Sequence, residues 1–589
     1  MADRKAMNDS ANDSPADRID VLIVGGGPTG LALACLCRRM GVELKIIDKK
    51  SGPSTTSKAI GLQYRVSEIL AWMGVVDRFL EIGESPTPVN IYEGSRRLVR
   101  FEFDLGNIQT GQNAFVPCPI MLQQSETERL LVELLLSRGA EVEWGAELLD
   151  FEQNDNEVVS RIRFPDGHEQ HIRSSWLVSC EGAHSVARKA AGISFEGKTY
   201  PQSFAIADVR IKWPIARQEN HVWMHPSGSF AALPLPGGSD IWRLFFEMKS
   251  GEDAAQEVTL PLIRTLMAER SGFTGGEISE PIWLSSFRIN CRMVNRFRSG
   301  RVFVAGDAAH IHSPTGGQGI TTGVQDAANL AWKLARVING APESLLDTYQ
   351  EERLPKAREV LGETDRTTRV LFSPNPIGRL IRDYLILPVL RMKLVQRRMF
   401  GKLSQLHVSY RGSSLSVGVN SSGLRAGDRA PDVAFKAVKS GSIVTLFRLL
   451  QPGRPVLLIS ARGSINSATL RGLVRGLMKL DLDAFVMVSN TDDPVQGGST
   501  LDARSQETGS GSNDLNLLQD LHGDLQRIYG LTEDFLCLIR PDGHIGLVQS
   551  PISLAVLTTY LLKICRSEGA EEIAALVKEP KGKAAGLKQ

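Results

Sequence analysis

The sequence predicts an α/β chain. A Rossmann-like dinucleotide-binding unit comes first, a β-sheet domain is inserted into it, and another α/β unit closes the chain. Three observations carry that expectation. A glycine-rich turn joins a β-branched run to a helix-like segment between residues 20 and 40. A strand, an acid, a glycine-bearing loop and a helix follow one another over residues 301–335. Strand-like and helix-like segments begin to alternate afresh near Gly427. With 589 residues the chain has room for several domains of ~150 residues each.

Composition narrows the class. Apolar residues make up 42% and charged residues 23% of the chain, ordinary for a soluble globular protein. A net charge of +2 gives no global electrostatic case for nucleic acid or membrane binding. Seven cysteines do not make a disulfide framework, and no CxxC pair or Cys/His cluster has zinc spacing. Cys35 and Cys37 fall in a helix expected to be buried. A reducing, cytoplasmic setting without a metal site is expected. Residues 1–18, rich in Asp, Asn and Ser, read as a flexible tail. The apolar stretch 21–37 has a Gly-Gly-Gly-Pro centre, which suits a strand-to-helix turn and not a signal peptide. Residues 379–395 are apolar but interrupted by Arg379, Arg382, Asp383, Arg391 and Lys393. A spanning helix needs ~20 mostly uncharged residues, so no membrane span is expected.

The first motif is a βαβ unit. Residues 20–24 form a short β-branched run that reads as a buried parallel strand. Residues 31–40 are helix-like, with Gly41 as terminator, and residues 42–47 form a second strand ending in Asp48. Gly25, Gly27 and Gly30 then occupy the G-x-G-x-x-G positions. Gly25 permits the tight turn, Gly27 lets backbone approach a pyrophosphate, and Gly30 lets helix and strand pack closely. Unpaired N–H groups at the helix start meet the phosphates. Asp48, with Lys49 beside it, stands where a carboxylate accepts ribose hydroxyls.

Later segments complete the pattern. Residues 301–305 are a strand, followed by Gly306-Asp307, a glycine-bearing loop to Gly319 and a helix from about Thr322. Such a helix end offers partial positive charge to an electron-rich group. His310 and His312 have no third ligand at metal spacing. Between the two units lies Glu181-Gly182-Ala183-His184-Ser185-Val186-Ala187-Arg188.

Gly306-Asp307-Ala308-Ala309-His310, Gly316-Gly317-Gln318-Gly319 and Gln325-Asp326-Ala327-Ala328-Asn329-Leu330-Ala331-Trp332-Lys333-Leu334 resemble the single-component FAD-dependent aromatic hydroxylases (class A flavin monooxygenases). The nearest branch is that of phenol hydroxylase and chlorophenol monooxygenase. The resemblance is strongest over residues 19–415. It implies an FAD-binding domain of the glutathione-reductase and p-hydroxybenzoate-hydroxylase type over 19–194 and 291–360. It also implies a substrate-binding β-sheet domain over 195–290, a helical segment over 361–420 and a thioredoxin-like domain over 421–589. FAD is the implied cofactor, with NADPH or NADH as transient co-substrate, since no second dinucleotide motif is present. O2 and a small aromatic or polyketide-like molecule are the implied reactants, and a homodimer the implied assembly.

The resemblance also assigns roles. Asp307, after Gly306, would bind the ribityl chain. Pro314, Gly317, Gly319, Ile320 and Thr321 would line the isoalloxazine ring. Arg65 would contact the pyrophosphate or adenosine part, and Gln124 the ribityl-phosphate region. Glu181 would help hold FAD and handle NAD(P)H. Three positions depart from the pattern. Glu181 replaces the usual aspartate, Thr321 stands where asparagine is common, and Ile60 stands where the phenol branch carries an acid.

Residues 223–225, 230–235 and 241–247 read as strands of one sheet, a face of which would roof the substrate. His225, Trp223 and Arg288 are its pocket candidates, and Pro314, His225 and Arg288 the catalytic candidates. Residues 360–415 read as helices. Residues 456–459 and 484–488 read as strands, 534–545 as a hairpin and 496–514 as a loose loop. Without a CxxC, and with Cys537 and Cys565 standing alone, thiol redox chemistry is not expected.

The implied activity is NAD(P)H-dependent monooxygenation, in which a flavin C4a-hydroperoxide hydroxylates a phenolic or other electron-rich aromatic ring. Ile60 leaves epoxidation, Baeyer–Villiger insertion or dearomatising oxygenation of a polyketide-like metabolite open. Glu181 and Thr321 leave open a flavin-binding protein without turnover.

Overall fold

Three β-sheets organise the chain in a computed structural model. It describes residues 18–56, 59–102, 108–236, 238, 240–248, 258–273, 277–313, 317–371, 376–418, 420, 423–461, 465, 467–488, 515–532, 534–566, 568–571 and 573. The tail 1–17, the loop 496–514 and Pro314 lie outside the described residues.

The first sheet is the expected dinucleotide-binding one. Its strands run in the order Arg298–Ser299, Val302–Val304, Glu169–Ser179, Arg18–Val24, Leu44–Asp48 and Val142–Trp144. The last five are mutually parallel. Val21, Leu22 and Ile23 are fully buried, because a parallel sheet is covered on both faces and its strands read as continuous apolar runs. The Pro28–Arg39 helix packs between this sheet and the Gly319–Ile338 helix, hereafter the central helix. Residues 360–415, expected to be helical, hold the end of the Asp347–Leu371 helix, a helical run over 376–389 and the Lys393–Leu403 helix.

The second sheet has eight strands. They run His310–Ile311, Glu277–Val294, Phe195–Lys212, Ile241–Glu247, Phe230–Pro234, Asn220–Trp223, Val89–Glu93 and Arg96–Phe101. Three of its strands come from outside residues 195–290. The hairpin Val89–Phe101 reaches it from the front of the chain, and His310–Ile311 from the loop after Gly306-Asp307. One face packs on the Leu260–Ser271 helix through Trp223, Phe230, Phe246, Ile263 and Met267.

The third sheet lies in the carboxyl-terminal part. Val456–Ser460 and Asp483–Val488 are parallel, joined by the Ser467–Lys479 helix. Phe535–Ile539 and Ile545–Gln549 form the expected antiparallel hairpin, followed by the Leu554–Ile564 helix. Trp72, on the Tyr64–Met73 helix, meets Phe447 edge-on at 5.5 Å, so the first and third sheets share one core.

A buried ionic cluster fastens that junction. Glu352, on the Asp347–Leu371 helix, accepts from Lys333 Nζ at 2.7 Å and Arg540 Nη1 at 2.6 Å. Asn329 Nδ2 and Ser413 Oγ complete its shell at 2.7 and 2.8 Å. Arg540 also pairs with Asp542, whose carbonyl accepts from Arg65 Nη2 at 3.0 Å. All these charges are buried, which is tolerated only where each is paired and hydrogen-bonded. Burial alone would raise the Glu352 carboxyl. Arg540 and Lys333 outweigh it and hold the group low, at about 2. Burial lowers Lys333 to about 8, which leaves the ammonium charged at neutral pH.

Glu352→Ala would leave Arg540 and Lys333 buried without their carboxylate. The expected cost is about 3–5 kcal/mol, read from chemical denaturation. Because folding lowers the Glu352 pKa, its stabilisation is present above the ordinary carboxylate range and is lost as pH falls toward 2. The variant should lack that part of the acid sensitivity.

Candidate active site

Three glycine-bearing segments meet at the carboxyl ends of three neighbouring parallel strands. Gly25 follows Arg18–Val24, Glu181-Gly182 follows Glu169–Ser179, and Gly306-Asp307 follows Val302–Val304. Ligands of open α/β sheets bind at this edge. Gly25 has φ +113°, and a Cβ there would stand 2.3 Å from the Cys180 carbonyl oxygen. A Cβ on Gly30 would stand 1.9 Å from the Gly25 carbonyl oxygen. Gly27 is different: a Cβ there meets nothing within 4 Å. It opens the Pro28–Arg39 helix without a side-chain cap, so the helix N–H groups face open space. Asp48 anchors this turn, its Oδ2 accepting the Gly26 N–H at 2.7 Å.

The second half of the site is set by the central helix. It starts at Gly319, three residues earlier than its sequence pattern suggested, and its N-cap Gln318 makes no side-chain cap bond. Thr29 wedges the two helices together. A Cβ on Gly306 or Gly323 would lie 2.5 or 2.2 Å from Thr29 Oγ1. Asp326, fully buried in the central helix, accepts the Gly306 N–H at 3.0 Å, His310 Nε2 at 2.6 Å and Arg353 Nε at 2.7 Å. Burial would raise its pKa; His310 and Arg353 reverse that and hold it below the usual carboxylate range. Asp307 is exposed in the short turn that Asp326 fixes.

Residues 18–364 match the family described as FAD binding domain. The chain is 36% identical over 408 residues to 6-methylpretetramide 4-monooxygenase of Streptomyces rimosus, covering 68% of this chain and 72% of that protein. The chain belongs to the class A FAD-dependent monooxygenases. It is also 29% identical to pentachlorophenol 4-monooxygenase of Sphingobium chlorophenolicum, over 92% of this chain and 97% of that one. Among solved structures it resembles the anhydrotetracycline hydroxylase OxyS of Streptomyces rimosus. The TM-score is 0.71 at 28% identity, covering 93% of this chain and 99% of that one.

This monooxygenase has residues that fit FAD. The open approach at Gly27, two helix N-termini without side-chain caps, Asp48 and the exposed Asp307 match a pyrophosphate, a ribose and a ribityl chain. His312 follows the His310–Ile311 strand, with its Nε2 buried and without a partner. Burial pushes it down to about 4, so the imidazole is neutral. Lys49 is exposed beside Asp48. Gln124 opens the Gln124–Ser137 helix and donates to Glu128 Oε1 at 2.8 Å, and Glu128 holds the Ser54 N–H at 2.9 Å. Gly317, at φ +61°, leads to Gly319, Ile320 and Thr321 at the start of the central helix. Among the described residues no group of His, Cys, Asp and Glu could hold a metal.

Several expected residues go elsewhere. Arg65 does not stand open to a ligand. Its guanidinium is buried against Trp72, pairs with Glu68 at 2.5 Å and reaches the Asp542 carbonyl. Burial demanded a partner, and Glu68, one helical turn on, supplies it. Trp223 faces the Leu260–Ser271 helix, stacked on Phe230 at 4.9 Å. His225 sits in a turn, bonded to Ser227 Oγ at 2.8 Å. Arg288 is exposed and alternates away from Phe287 and Ile289, on the other face of its strand. The structure brings neither His225 nor Arg288 to the glycine segments.

Glu181 has a definite task. Its carboxylate accepts from Ser179 Oγ at 2.8 Å, Ser185 Oγ at 2.7 Å, and the Val186 and Ala187 N–H groups at 3.0 and 3.1 Å. It therefore caps the Val186–Ala190 helix, where a negative charge is favoured. From that helix Arg188 donates to the Ala308 carbonyl at 3.2 Å and ties the middle segment to the third. Thr321 is buried, and its hydroxyl accepts the Gln63 N–H at 3.2 Å.

Sequence reading missed Asp208 and Arg243. They form a buried bidentate pair at 2.8 and 2.9 Å in the second sheet. Asp208 lies in phase with the apolar Phe204 and Ile206, and an acid on an inward face was the available signal.

Gly27→Ala should leave the melting temperature of the apoprotein unchanged, because the methyl meets no protein atom. It should weaken FAD binding roughly tenfold or more, because the methyl fills the approach to the pyrophosphate. Flavin fluorescence titration and thermal denaturation separate the two effects. Glu181→Asp shortens the cap by one methylene and should cost about 1 kcal/mol of stability. Flavin content should be unchanged or higher; its total loss would contradict the capping role.

Proposed function

We propose that this monooxygenase hydroxylates an electron-rich, apolar polycyclic aromatic of the polyketide type. One observation carries the reading. The face of the second sheet opposite the Leu260–Ser271 helix bears a cluster of Phe204, Phe245 and Phe287. Phe204 lies 5.0 Å from Phe245 and 5.8 Å from Phe287 between ring centroids. Leu361, from the Asp347–Leu371 helix, packs against the same cluster, so this face turns toward the FAD-binding unit. Flat aromatic side chains favour offset-stacked or edge-on contact with flat aromatic rings.

Bound FAD supplies the activation of O2, with NAD(P)H as the reductant typical of the family. The chain positions the reactants. Gly27 and the start of the Pro28–Arg39 helix hold the pyrophosphate, Asp48 the ribose and Asp307 the ribityl chain. The N-terminus of the central helix offers partial positive charge to the electron-rich edge of the ring. The phenylalanine cluster would exclude water and offer a flat apolar surface to the substrate ring. Asp208 and Arg243, on the same face, set a fixed polar rim for a hydroxyl or carbonyl of the substrate. Ile60 supplies no carboxylate, so deprotonation of a phenol rests on another group or on water. The names of the relatives agree: one acts on 6-methylpretetramide and the OxyS hydroxylase on anhydrotetracycline.

The carboxyl-terminal unit fits a thioredoxin-like fold without thiol chemistry. Its βαβ and ββα halves surround the Val456–Ser460 strand, and burial pushes the Cys537 thiol up to about 12. It acts in this reading as a structural clamp.

NAD(P)H consumption across a panel of monocyclic phenols and polycyclic phenols, followed by product mass, tests the reading. Polycyclic phenols should gain one oxygen, with the ring system intact. Phe245→Ala and Phe287→Ala should raise KM roughly tenfold with FAD content unchanged, in line with ~1–2 kcal/mol for a partly buried aromatic ring. Equal turnover of monocyclic phenols, or variants with unchanged KM, would contradict it.

A further inference from the structure

The helical run over 376–389 carries an apolar stripe on its outer side. Leu380, Ile381, Tyr384, Leu385 and Val389 recur at helical spacing and are all exposed, Tyr384 by 79% and Leu385 by 64%. Leu394, 61% exposed, continues the patch into the Lys393–Leu403 helix. A stripe of this kind normally faces a core; here, among the described residues, nothing covers it. The opposite side is firmly seated. Leu387 and Phe400 pack with Ile91, Val99 and Phe101 of the hairpin at the edge of the second sheet. Arg391 Nε donates to the Leu98 carbonyl at 2.8 Å, and Gln396 Nε2 to the Arg100 carbonyl at 3.0 Å. The stripe is thus mounted on a rigid support.

Charge identifies what the patch fits. Residues 376–402 hold seven Lys and Arg and one acid, in a chain whose net charge is only +2. Arg391, Lys393 and Arg398 are exposed beside the stripe, and Lys402, paired with Glu363 at 2.7 Å, lies at the end of the same helix. A symmetric contact with a second copy would set this basic cluster against itself. An anionic bilayer surface complements both features: apolar side chains enter the headgroup–acyl boundary, and basic ones meet lipid phosphates.

We propose that the 376–402 segment docks the enzyme on anionic lipid membranes, lying in the interface without crossing it. No helix among the described residues is long and apolar enough to cross a membrane. The proposal is independent of the substrate reading, and turnover in solution does not bear on it.

Flotation of the full-length, FAD-loaded enzyme with vesicles tests it. The enzyme should float with phosphatidylcholine–phosphatidylglycerol vesicles, float poorly with phosphatidylcholine alone, and be partly released by salt. Lys393→Ala combined with Arg398→Ala should weaken binding about 25-fold, the factor for two interfacial cations. Tyr384→Asp with Leu385→Asp should abolish it. Unchanged FAD content and solution turnover in both variants verify folding. Equal binding to neutral vesicles, no binding to either, or variants that float like the parent would overturn the proposal. So would concentration-dependent self-association lost in Tyr384→Asp/Leu385→Asp without vesicle binding, which would mark the patch as a contact between copies.

Discussion

The cofactor end of the molecule depends on one buried carboxylate. Asp326 holds the Gly306 N–H, and with it the turn that presents Asp307, while Arg353 pairs with its charge and His310 Nε2 bonds to the same carboxylate. A lone buried carboxylate would be costly, and here Arg353 supplies a cation and His310 a further hydrogen bond. Arg353 is itself held by the Thr322 carbonyl and the Tyr410 hydroxyl, each at 3.1 Å. The Tyr410 ring in turn lies 4.3 Å from that of His544 in the carboxyl-terminal unit. The shape of the Gly306-Asp307 turn is thus connected, through contiguous contacts, to the carboxyl-terminal unit.

The departures from the family pattern become intelligible in the same terms. Glutamate at position 181 has the reach to cap a short helix with both carboxylate oxygens while two serines also donate to it. The Thr321 hydroxyl accepts from the backbone of Gln63, which fastens the loop before the Tyr64–Met73 helix to the central helix. Both side chains thus tie neighbouring backbone segments together.

Local signals were legible in the sequence and long-range ones were not. The βαβ unit, the glycine turn and the strand before Gly306 follow from runs of β-branched residues and from backbone demands that only glycine meets. The start of the central helix was misplaced because a glycine-rich loop hides its first turn. Arg65 is engaged by Glu68 and by Asp542, the latter 477 positions away, and no local pattern announces that contact. The charged residues within 379–395 speak in the sequence against a spanning helix. Only the fold shows five apolar residues of that segment sharing an outward stripe. Asp208 left a trace, as an acid in phase with apolar neighbours, and its partner Arg243 emerges only from the pairing of their strands.

The most direct measurement is the FAD dissociation constant of Asp326→Asn apoprotein, by flavin fluorescence quenching, at a temperature where its circular dichroism matches the parent. An asparagine there carries no charge to balance Arg353, and its single carbonyl oxygen cannot serve Gly306, His310 and Arg353 together. The account predicts FAD affinity roughly tenfold weaker or more, in line with loss of a charged hydrogen-bond acceptor. A folded Asp326→Asn protein that binds FAD as tightly as the parent would contradict it.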